Sequence, residues 1–202
     1  MLSIIVLAAG MSRRMGQQNK LRLPFGKSTI LQTTLHNIIE AGLGEVLVIV
    51  GFEKNEIKKD LMPFKNDLKI IVNPNFESGM TSSIQAGVMV SSQNTEGYMI
   101  CLSDMPLIQS IDYQQIKHLF LDKLKTNQRS IVQPTFEGQR GNPTLLSNYY
   151  KNHILNLADA EGCKPIVKNH AQNLYFIEMP NDAVLRDADT PEAYQSLCLH
   201  LN

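Results

Sequence analysis

The stretch that decides the fold is MLSIIVLAAGMSRRMGQQNK, residues 1–20. An apolar, β-branched run over residues 3–9 ends abruptly in Gly10, Ser12 and the pair Arg13-Arg14. Such a run is typical of a buried strand. Three explanations of the break compete: a cleaved export signal, a core strand followed by a solvated loop, and a strand leading into an anion-binding loop.

The export explanation fails on charge order and length. A secretory signal carries its positive charges before an apolar region of about 7 to 15 residues. Here the charges follow the apolar run, and residues 4–9 are too few. Three cysteines without paired spacing argue against disulfides and a cysteine zinc site, so we expect a cytoplasmic protein.

Chain length and net charge further limit the class of protein and the kind of ligand. With 202 residues, 43% of them hydrophobic, we expect a single domain spanning residues 1–202. Nineteen basic residues balance nineteen acidic ones, so no net charge attracts nucleic acid or an anionic membrane. Any anion must therefore be bound locally.

Further buried strands are predicted from nearly continuous apolar runs at 45–51, 68–72, 97–103 and 130–134. Helical periodicity appears at 30–39, before Gly42, and at 112–124. This alternation predicts an α/β fold with a mostly parallel, doubly wound sheet, and ligands beyond the carboxyl ends of its strands.

After the fifth strand the pattern changes. Glycines and a proline in PTFEGQRGNPTLLS, residues 134–147, predict a small β excursion resembling a hairpin. Two helices (about 147–157 and 163–169), a strand near 173–178 and a helix from about 191 complete the prediction.

The loop after the first strand concentrates positive charge. Every charged residue before Glu40 is basic: Arg13, Arg14, Lys20, Arg22 and Lys27. Glycine backbone, a serine hydroxyl and these cations suit a triphosphate, although neither GxxxxGK[ST] nor GxGxxG is present. On composition alone, a solvated basic loop explains the stretch equally well.

Two acidic loops could supply a metal site. Asp104 directly follows the strand at 97–103, where a carboxylate could hold magnesium together with substrate phosphates. Capping of the next turn is the simpler use of Asp104. Near the C-terminus, Thr190 or Asp189 could cap the last helix, which leaves Asp187 unexplained.

Together, LAAGMSRRMG with Lys20, the SDMP loop at 103–106 and DADTPEAY at 187–194 resemble the molybdenum cofactor nucleotidyltransferases over nearly the whole chain. GMTSSIQAG, residues 79–87, is similar to the cytidylyltransferase branch of that family. The resemblance implies a three-layer, Rossmann-like nucleotidyltransferase fold of the GT-A-like kind.

The resemblance also implies a set of site residues. Nucleotide contacts are expected at Leu7, Ala8, Ala9, Gly10, Ser12, Arg14 and Lys20. Base contacts are expected at Asn73 and in a turn that contains Gly79, Ser82 and Ser83. The acceptor is expected at Arg140, Gly141, Asn142 and Pro143. Arg14, Lys20 and Asp104 would be catalytic, and Asp104 with Asp189 would bind Mg²⁺ or Mn²⁺.

The implied reaction transfers CMP from CTP to molybdenum-molybdopterin, and the expected protein partner is a molybdenum hydroxylase apoenzyme. Three departures from the family pattern are Ser103 in place of glycine, Asn142 in place of histidine, and the turn at 161–164. The last two lie on the acceptor side, so they leave the acceptor more open than the reaction.

Other functions stay open. A nucleotidyltransferase could use GTP, another nucleotide or another small phosphorylated acceptor. A non-catalytic accessory protein could deliver molybdopterin to an apoenzyme. A nicotinamide oxidoreductase would share the alternation of strands and helices, but the sequence lacks GxGxxG.

Overall fold

The computed structural model describes residues 1–16, 18–158 and 160–201. Its strands are β1 (Leu2–Ala8), β2 (Pro24–Phe25), β3 (Ser28–Thr29), β4 (Gly44–Val50), β5 (Lys69–Val72), β6 (Gly97–Leu102), β7 (Ile131–Phe136), β8 (Gln139–Arg140), β9 (Thr144–Ser147) and β10 (Leu174–Glu178). Its helices are α1 (Ile30–Glu40), α2 (Lys54–Asp60), α3 (Met80–Val90), α4 (Ser110–Leu124), α5 (Lys151–Leu155), α6 (Lys164–Asn169) and α7 (Pro191–Cys198).

One mixed sheet organises the described part of the chain. Its order is β10-β7-β9-β6-β1-β4-β5, and β8 pairs with β7. β1 runs parallel to β4 and β6, β4 is parallel to β5, and β10 is parallel to β7. β9 is antiparallel to both β6 and β7. The mostly parallel α/β fold predicted from the sequence is confirmed.

Helices cover both faces of this sheet, which explains why its strands read as continuous apolar runs. On one face, side chains of α1, α2 and α4 pack with alternate residues of β1, including Ile4 and Val6. On the other, α3, α5 and α6 pack around Ile5 of the same strand. The result is the three-layer arrangement implied by the resemblance.

Helix α3 lies unusually close to β1 because of Gly87. A Cβ built on Gly87 would lie 2.7 Å from Cγ2 of Ile5. Real Cβ atoms do not approach a neighbour so closely, so glycine here allows the helix to approach the sheet. This contact sets the position of the α3 N-terminus beside the ends of the central strands.

The structure corrects several sequence-based boundaries. The turn predicted to contain Gly79, Ser82 and Ser83 is wrong, because Gly79 caps α3 and the two serines lie within the helix. The helix predicted at 147–157 is shorter, because Ser147 still belongs to β9 and α5 begins at Lys151. Helix α2 and the β2–β3 hairpin were not predicted.

The excursion after β7 is more than a hairpin. β8 turns back on β7 as expected, but β9 then enters the main sheet between β6 and β7. Only strand pairing reveals this, because the predicted β excursion at 134–147 did not indicate which strands TLLS would pair with. No helix of the described residues is long and apolar enough to cross a membrane.

The candidate active site at the strand ends

A cleft of about 490 Å³ opens where β1 and β6 end. We call it the cleft throughout. Four segments of the chain meet there: the loop after β1, the β5–α3 connection with the start of α3, the loop after β6 and the segment before α7. This is the edge at which ligands bind in open α/β sheets.

The loop after β1 is shaped by its backbone and by one serine. Ser12 has a left-handed backbone (φ 49°), and its Oγ accepts a hydrogen bond from the Lys20 backbone N–H at 3.3 Å. This bond ties the two ends of the basic loop together. A Cβ built on Gly10 would meet no atom of the described residues within 4 Å. The backbone at Gly10 is therefore open to close approach by a ligand.

Hydrogen bonds join the loop after β6 to β1 and the segment before α7 to the loop after β6. Ser103 Oγ donates to the Leu7 carbonyl at 2.6 Å, which links the ends of β6 and β1. The Ala188 backbone N–H donates to the Asp104 carbonyl at 3.2 Å. Because of this second bond, the C-terminal acidic segment lies beside Asp104 although it is distant in sequence.

Thr190 caps the N-terminus of α7, so neither Asp187 nor Asp189 is needed for that role. Thr190 Oγ1 accepts a hydrogen bond from the Ala193 N–H at 3.2 Å, as an N-cap of α7 does. Asp187 Oδ1 accepts from the Asp189 N–H at 3.1 Å. The sequence left the choice of cap open, and the structure assigns it to Thr190.

Three carboxylates converge in the cleft. Asp104, Asp187 and Asp189 each present an oxygen, and these oxygens lie within 4.8 Å of one another. We call them the acidic triad. Lys20 contacts two members, because its Nζ donates to Asp104 Oδ2 and to Asp189 Oδ1. Arg14 reaches Asp189 Oδ2 with its Nη2 at 2.9 Å.

These contacts shift the pKa values of the groups involved. Burial lowers the pKa of Lys20, but the charge of Asp104 and hydrogen bonds to Asp104 and Asp189 outweigh it and raise that pKa overall. Burial raises the pKa of Asp189, but Lys20 and Arg14 reverse the effect and lower it. The pKa of Asp187 is raised by burial and by the charges of Asp104 and Asp189.

The acidic triad has the chemistry of a hard-cation site. Carboxylate oxygens are the ligands that Mg²⁺ and Mn²⁺ favour, and one or two of them are sufficient when phosphates complete the shell. Asp104 is only 5% exposed, so its charge is shielded from water. The Lys20 ammonium already lies between two of the carboxylates, so these oxygens do attract a positive charge. The residues present therefore fit a divalent ion.

Most of the residues predicted for the nucleotide line the cleft: Leu7, Ala9, Gly10, Ser12, Arg14, Lys20, Gly79 and Ser83. The two predicted metal ligands, Asp104 and Asp189, line it as well. Ala8, Asn73 and Ser82 are not part of its lining. Ala8 is a buried residue of β1. Ser82 Oγ donates to the carbonyls of Asn75 and Gly79, so it stabilises the start of α3.

Asn73 is used inside the protein. Its amide nitrogen donates to Ser82 Oγ at 2.9 Å and to Ser83 Oγ at 3.0 Å, and its Oδ1 accepts from the Asn75 N–H. The side chain is 3% exposed. Asn73 thus holds the β5–α3 connection, and a role in reading the base stays a prediction.

A second cavity of about 860 Å³ adjoins the cleft, and we call it the side cavity. Of the four residues predicted to meet the acceptor, Arg140, Gly141 and Asn142 line it. Pro143 is outside its lining. The acceptor segment and the nucleotide segment therefore flank adjacent spaces.

Sequence reasoning missed several residues that line these spaces. Phe76 and Glu77 border the cleft in a 3-10 turn after β5. They follow a strand end, which was the signal available. Gln133, Lys164 and Lys168 line the side cavity. In β7 the apolar residues Ile131 and Val132 are followed by the polar Gln133. This interruption of the apolar run was the signal available in the sequence.

Comparison with known proteins shows a match to one protein family. Residues 4–174 match the model of the MobA-like NTP transferase domain. The chain is 28% identical over 198 residues to the molybdenum cofactor cytidylyltransferase of Escherichia coli (strain K12), with 96% of this chain and 93% of that protein covered. It is also 28% identical over 197 residues to the purine catabolism protein PucB of Bacillus subtilis (strain 168), covering 94% and 92% respectively.

A solved structure supports the fold independently. Rv0371c from Mycobacterium tuberculosis H37Rv superposes with a TM-score of 0.83 at 19% identity, covering 98% of this chain and 97% of that one. At that identity the likeness concerns the fold alone.

Proposed function

Since the chain belongs to the MobA-like NTP transferase family, we propose that it transfers CMP from CTP to molybdenum-molybdopterin, forming molybdopterin cytosine dinucleotide and pyrophosphate. Membership of the family makes the chain a nucleotidyltransferase. The choice of CTP and of the pterin acceptor is the proposal. It draws on the resemblance to the cytidylyltransferase branch and on the relative of that activity in Escherichia coli.

The observation that carries the proposal is the meeting of the acidic triad with Lys20 and Arg14 at the open end of β1. A nucleoside triphosphate with its cation needs both signs of charge: carboxylates for the metal and basic groups for the phosphates. A solvated basic loop would need neither a half-buried ammonium nor three converging carboxylates.

In the proposed reaction, an oxygen of the acceptor's terminal phosphate forms a bond to the α-phosphorus of CTP. The bond from that phosphorus to the α,β-bridging oxygen breaks, and pyrophosphate leaves with the electron pair. Both reactants are anions, so the protein must hold them together against repulsion. No covalent side-chain nucleophile is required.

The basic residues would serve the leaving group. Lys20, on the triad side, and Arg14, at the cleft opening, would pair with phosphate oxygens and stabilise the charge that develops on pyrophosphate. The exposed backbone at Gly10 would let the phosphates approach the loop closely. Mg²⁺ or Mn²⁺ bound by Asp104 and Asp189, with Asp187 beside them, would supply positive charge next to the phosphates.

One experiment tests both the choice of nucleotide and the choice of acceptor. The purified chain is incubated with CTP, GTP, ATP or UTP, with and without molybdenum-molybdopterin, and pyrophosphate is measured. We expect release that requires both the pterin and a divalent cation and is largest with CTP. The 28% identity to the cytidylyltransferase does not choose between CTP and GTP, so this comparison of nucleotides is decisive.

Each other outcome selects a different function. Faster release with GTP would replace the cytidylyl by a guanylyl transfer. Release that requires a different phosphorylated acceptor would keep the reaction and change the substrate. Pterin binding without pyrophosphate release from any nucleotide would favour a delivery protein. Transfer of the product to a molybdenum hydroxylase apoenzyme, the cytoplasmic location and the single domain spanning residues 1–202 stay predictions.

A further inference from the structure

The side cavity borders the cleft and shares two lining residues with it. Met80, at the start of α3, and Leu102, at the end of β6, line both spaces. A molecule that occupies the side cavity could therefore extend one end past these two residues into the cleft. The volume of the side cavity, about 860 Å³, is within the range of cavities that hold a ligand of drug size. It is far more than a lone phosphate needs.

Positive charge lines this cavity. Lys164 and Lys168 stand four residues apart on α6, and both face it. Both lysines are exposed, and like charges at this spacing on a helix repel each other weakly, so an anion nearby would stabilise the pair. Arg140 adds a third cation from β8, and Glu161 is the acidic side chain among the described lining residues. The cavity therefore favours an anionic occupant.

The two lysines are distinct from the groups that would bind the reacting phosphates. Lys164 and Lys168 are absent from the lining of the cleft, whereas Lys20 and Arg14 are part of it. A phosphate that attacks the α-phosphorus must lie in the cleft, beside the acidic triad. The charge of α6 is thus available to a different part of the same acceptor.

Polar groups on the sheet side of the cavity could orient a ring. Gln133 Nε2 donates to Thr144 Oγ1 at 2.8 Å, and both residues line the cavity. Gln133 Oε1 is buried and has no hydrogen-bond partner among the described residues. A buried carbonyl oxygen is unfavourable until a donor meets it. Because Gln133 lines the cavity, an N–H group of a bound heterocycle could meet this oxygen if the Gln133 amide rotates and gives up its hydrogen bond to Thr144.

We propose that the side cavity binds the body of the acceptor, and that Lys164 and Lys168 select an acceptor with a second anionic centre besides its reacting phosphate. Gln133 would meet the N–H edge of its ring. This inference rests on the proposed function, because it takes the acceptor to be a phosphorylated molecule that receives the nucleotidyl group. Molybdenum-molybdopterin, with an anionic dithiolene centre and a pterin ring, has these features.

The test is direct binding without nucleotide. Calorimetric titration with molybdenum-molybdopterin compares the wild-type chain with the double variant Lys164→Gln/Lys168→Gln. The control is Lys54→Gln/Lys65→Gln, which removes the same charge from exposed positions outside the cavity. Thermal unfolding of both variants checks that each is folded. Glucose 1-phosphate, whose only anionic group is its phosphate, is titrated in parallel.

We expect the cavity variant to bind the pterin at least tenfold more weakly and the control to bind like wild type. Glucose 1-phosphate should bind at least tenfold more weakly than the pterin to the wild-type chain. Gln133→Leu should also weaken pterin binding, whereas Gln139→Leu, at an exposed position outside the cavity, should not.

Equal pterin affinity of the cavity variant and the wild type would overturn the inference, whether or not pyrophosphate is released. An absence of pterin binding to the wild-type chain, or equal affinity for glucose 1-phosphate, would overturn it as well. Weakened binding together with no pyrophosphate release from any nucleotide would keep the site and reject the proposed transfer. The two failures are therefore distinguishable.

Discussion

Lys20 Nζ contacts the Asp104 carboxylate across 84 positions of sequence, and the same ammonium contacts Asp189. Lys20 thus occupies the region in which two candidate metal ligands meet. A divalent ion coordinated by these oxygens would lie next to the ammonium, and like charges at such distances repel strongly. Metal binding therefore requires Lys20 to move, and a triphosphate in the cleft would attract it.

The first prediction concerns this competition. Lys20→Met should raise the affinity for Mn²⁺ without nucleotide by about tenfold, within the usual range of coupling between sites. CTP should increase Mn²⁺ affinity in the wild type and much less in the variant. Turnover should fall by roughly 100-fold, because one transition-state charge contact is lost. Electron paramagnetic resonance of free Mn²⁺ measures the binding.

Lys27→Met is the control for this prediction, because Lys27 is exposed and outside the cleft. It should leave Mn²⁺ binding and turnover unchanged. Unaltered Mn²⁺ affinity in folded Lys20→Met would show that the ammonium does not compete with the metal.

The second prediction concerns Asp104. Asp104→Asn keeps the shape of the side chain but removes its charge, so Mn²⁺ binding should weaken by at least about tenfold and metal-dependent turnover should be lost. Asp122→Asn, at an exposed position on α4, should behave like wild type. If raising the CTP concentration alone restored full turnover to Asp104→Asn, ligation by Asp104 would be wrong.

The third prediction separates function from stability at Arg14. The Arg14 side chain is 70% exposed, so its ion pair with Asp189 should contribute less than about 1 kcal/mol to the free energy of unfolding. Arg14→Ala should nevertheless raise KM for CTP by about tenfold, the effect of losing about 1.4 kcal/mol of binding. Steady-state kinetics and denaturant unfolding measure the two quantities.

Arg13→Ala provides the comparison for Arg14. Its guanidinium contacts the Met11 sulfur at 4.0 Å. We expect a smaller change in KM for CTP from Arg13→Ala than from Arg14→Ala. Equal effects would mean that loop charge in general, and not the position of Arg14, determines the affinity.

The fourth prediction is a pH dependence at Glu45. Burial raises the pKa of Glu45, but hydrogen bonds from the Ser3 hydroxyl and the Ser92 backbone N–H, with help from Lys69, lower it overall. A carboxyl with a lowered pKa stabilises the fold above its ordinary pKa of about 4.5, and that stabilisation is lost as the pH falls through the lowered value.

Glu45→Gln should therefore lower the free energy of unfolding by about 1–2 kcal/mol at pH 7. The difference from wild type should shrink as the pH falls below about 4.5. Urea unfolding at several pH values measures it. A constant difference between pH 7 and pH 3 would contradict the assigned pKa shift.

The fifth prediction concerns the contact of α3 with β1. Gly87→Ala should lower the free energy of unfolding by about 1–3 kcal/mol, because its Cβ would overlap Ile5. Alanine favours helix by about 1 kcal/mol over glycine, so a stabilised variant would show that the close approach is not limiting. Met89→Ala, at a position 71% exposed on the same helix, should change it by less than about 0.5 kcal/mol.

The buried strands and the basic loop were predictable because their signals are local. A continuous apolar run such as IIVL identifies a strand covered on both faces wherever it occurs, and Gly10 and Arg14 follow it directly. The start of α3 was not predictable in the same way. In its first turn, MTSS, the three residues after Met80 are polar with weak helix propensity, and Asn73 holds this turn through its hydrogen bond to Ser83. Gly87 lets the rest of the helix pack on β1.

The acceptor side shows the same limit. The sequence placed TLLS at 144–147 in a small β excursion, and only its pairing with both β6 and β7 makes it a strand of the main sheet. Lys164 and Lys168 looked like ordinary surface charges, since nothing in their own segment indicates a cavity. Their position in the same cavity as Gln133 depends on how α6 packs against the sheet.

By itself, the sequence determined the α/β class, the strand that ends at the basic loop, and the candidate residues Lys20, Asp104 and Asp189. Tertiary structure decided which of these meet. The order of strands places the end of β6 beside that of β1, and the Ala188 hydrogen bond to Asp104 brings Asp187 and Asp189 to the same cleft. Periodicity reports the burial of each segment, whereas a charge cluster built from three distant segments depends on long-range pairing that no local pattern encodes.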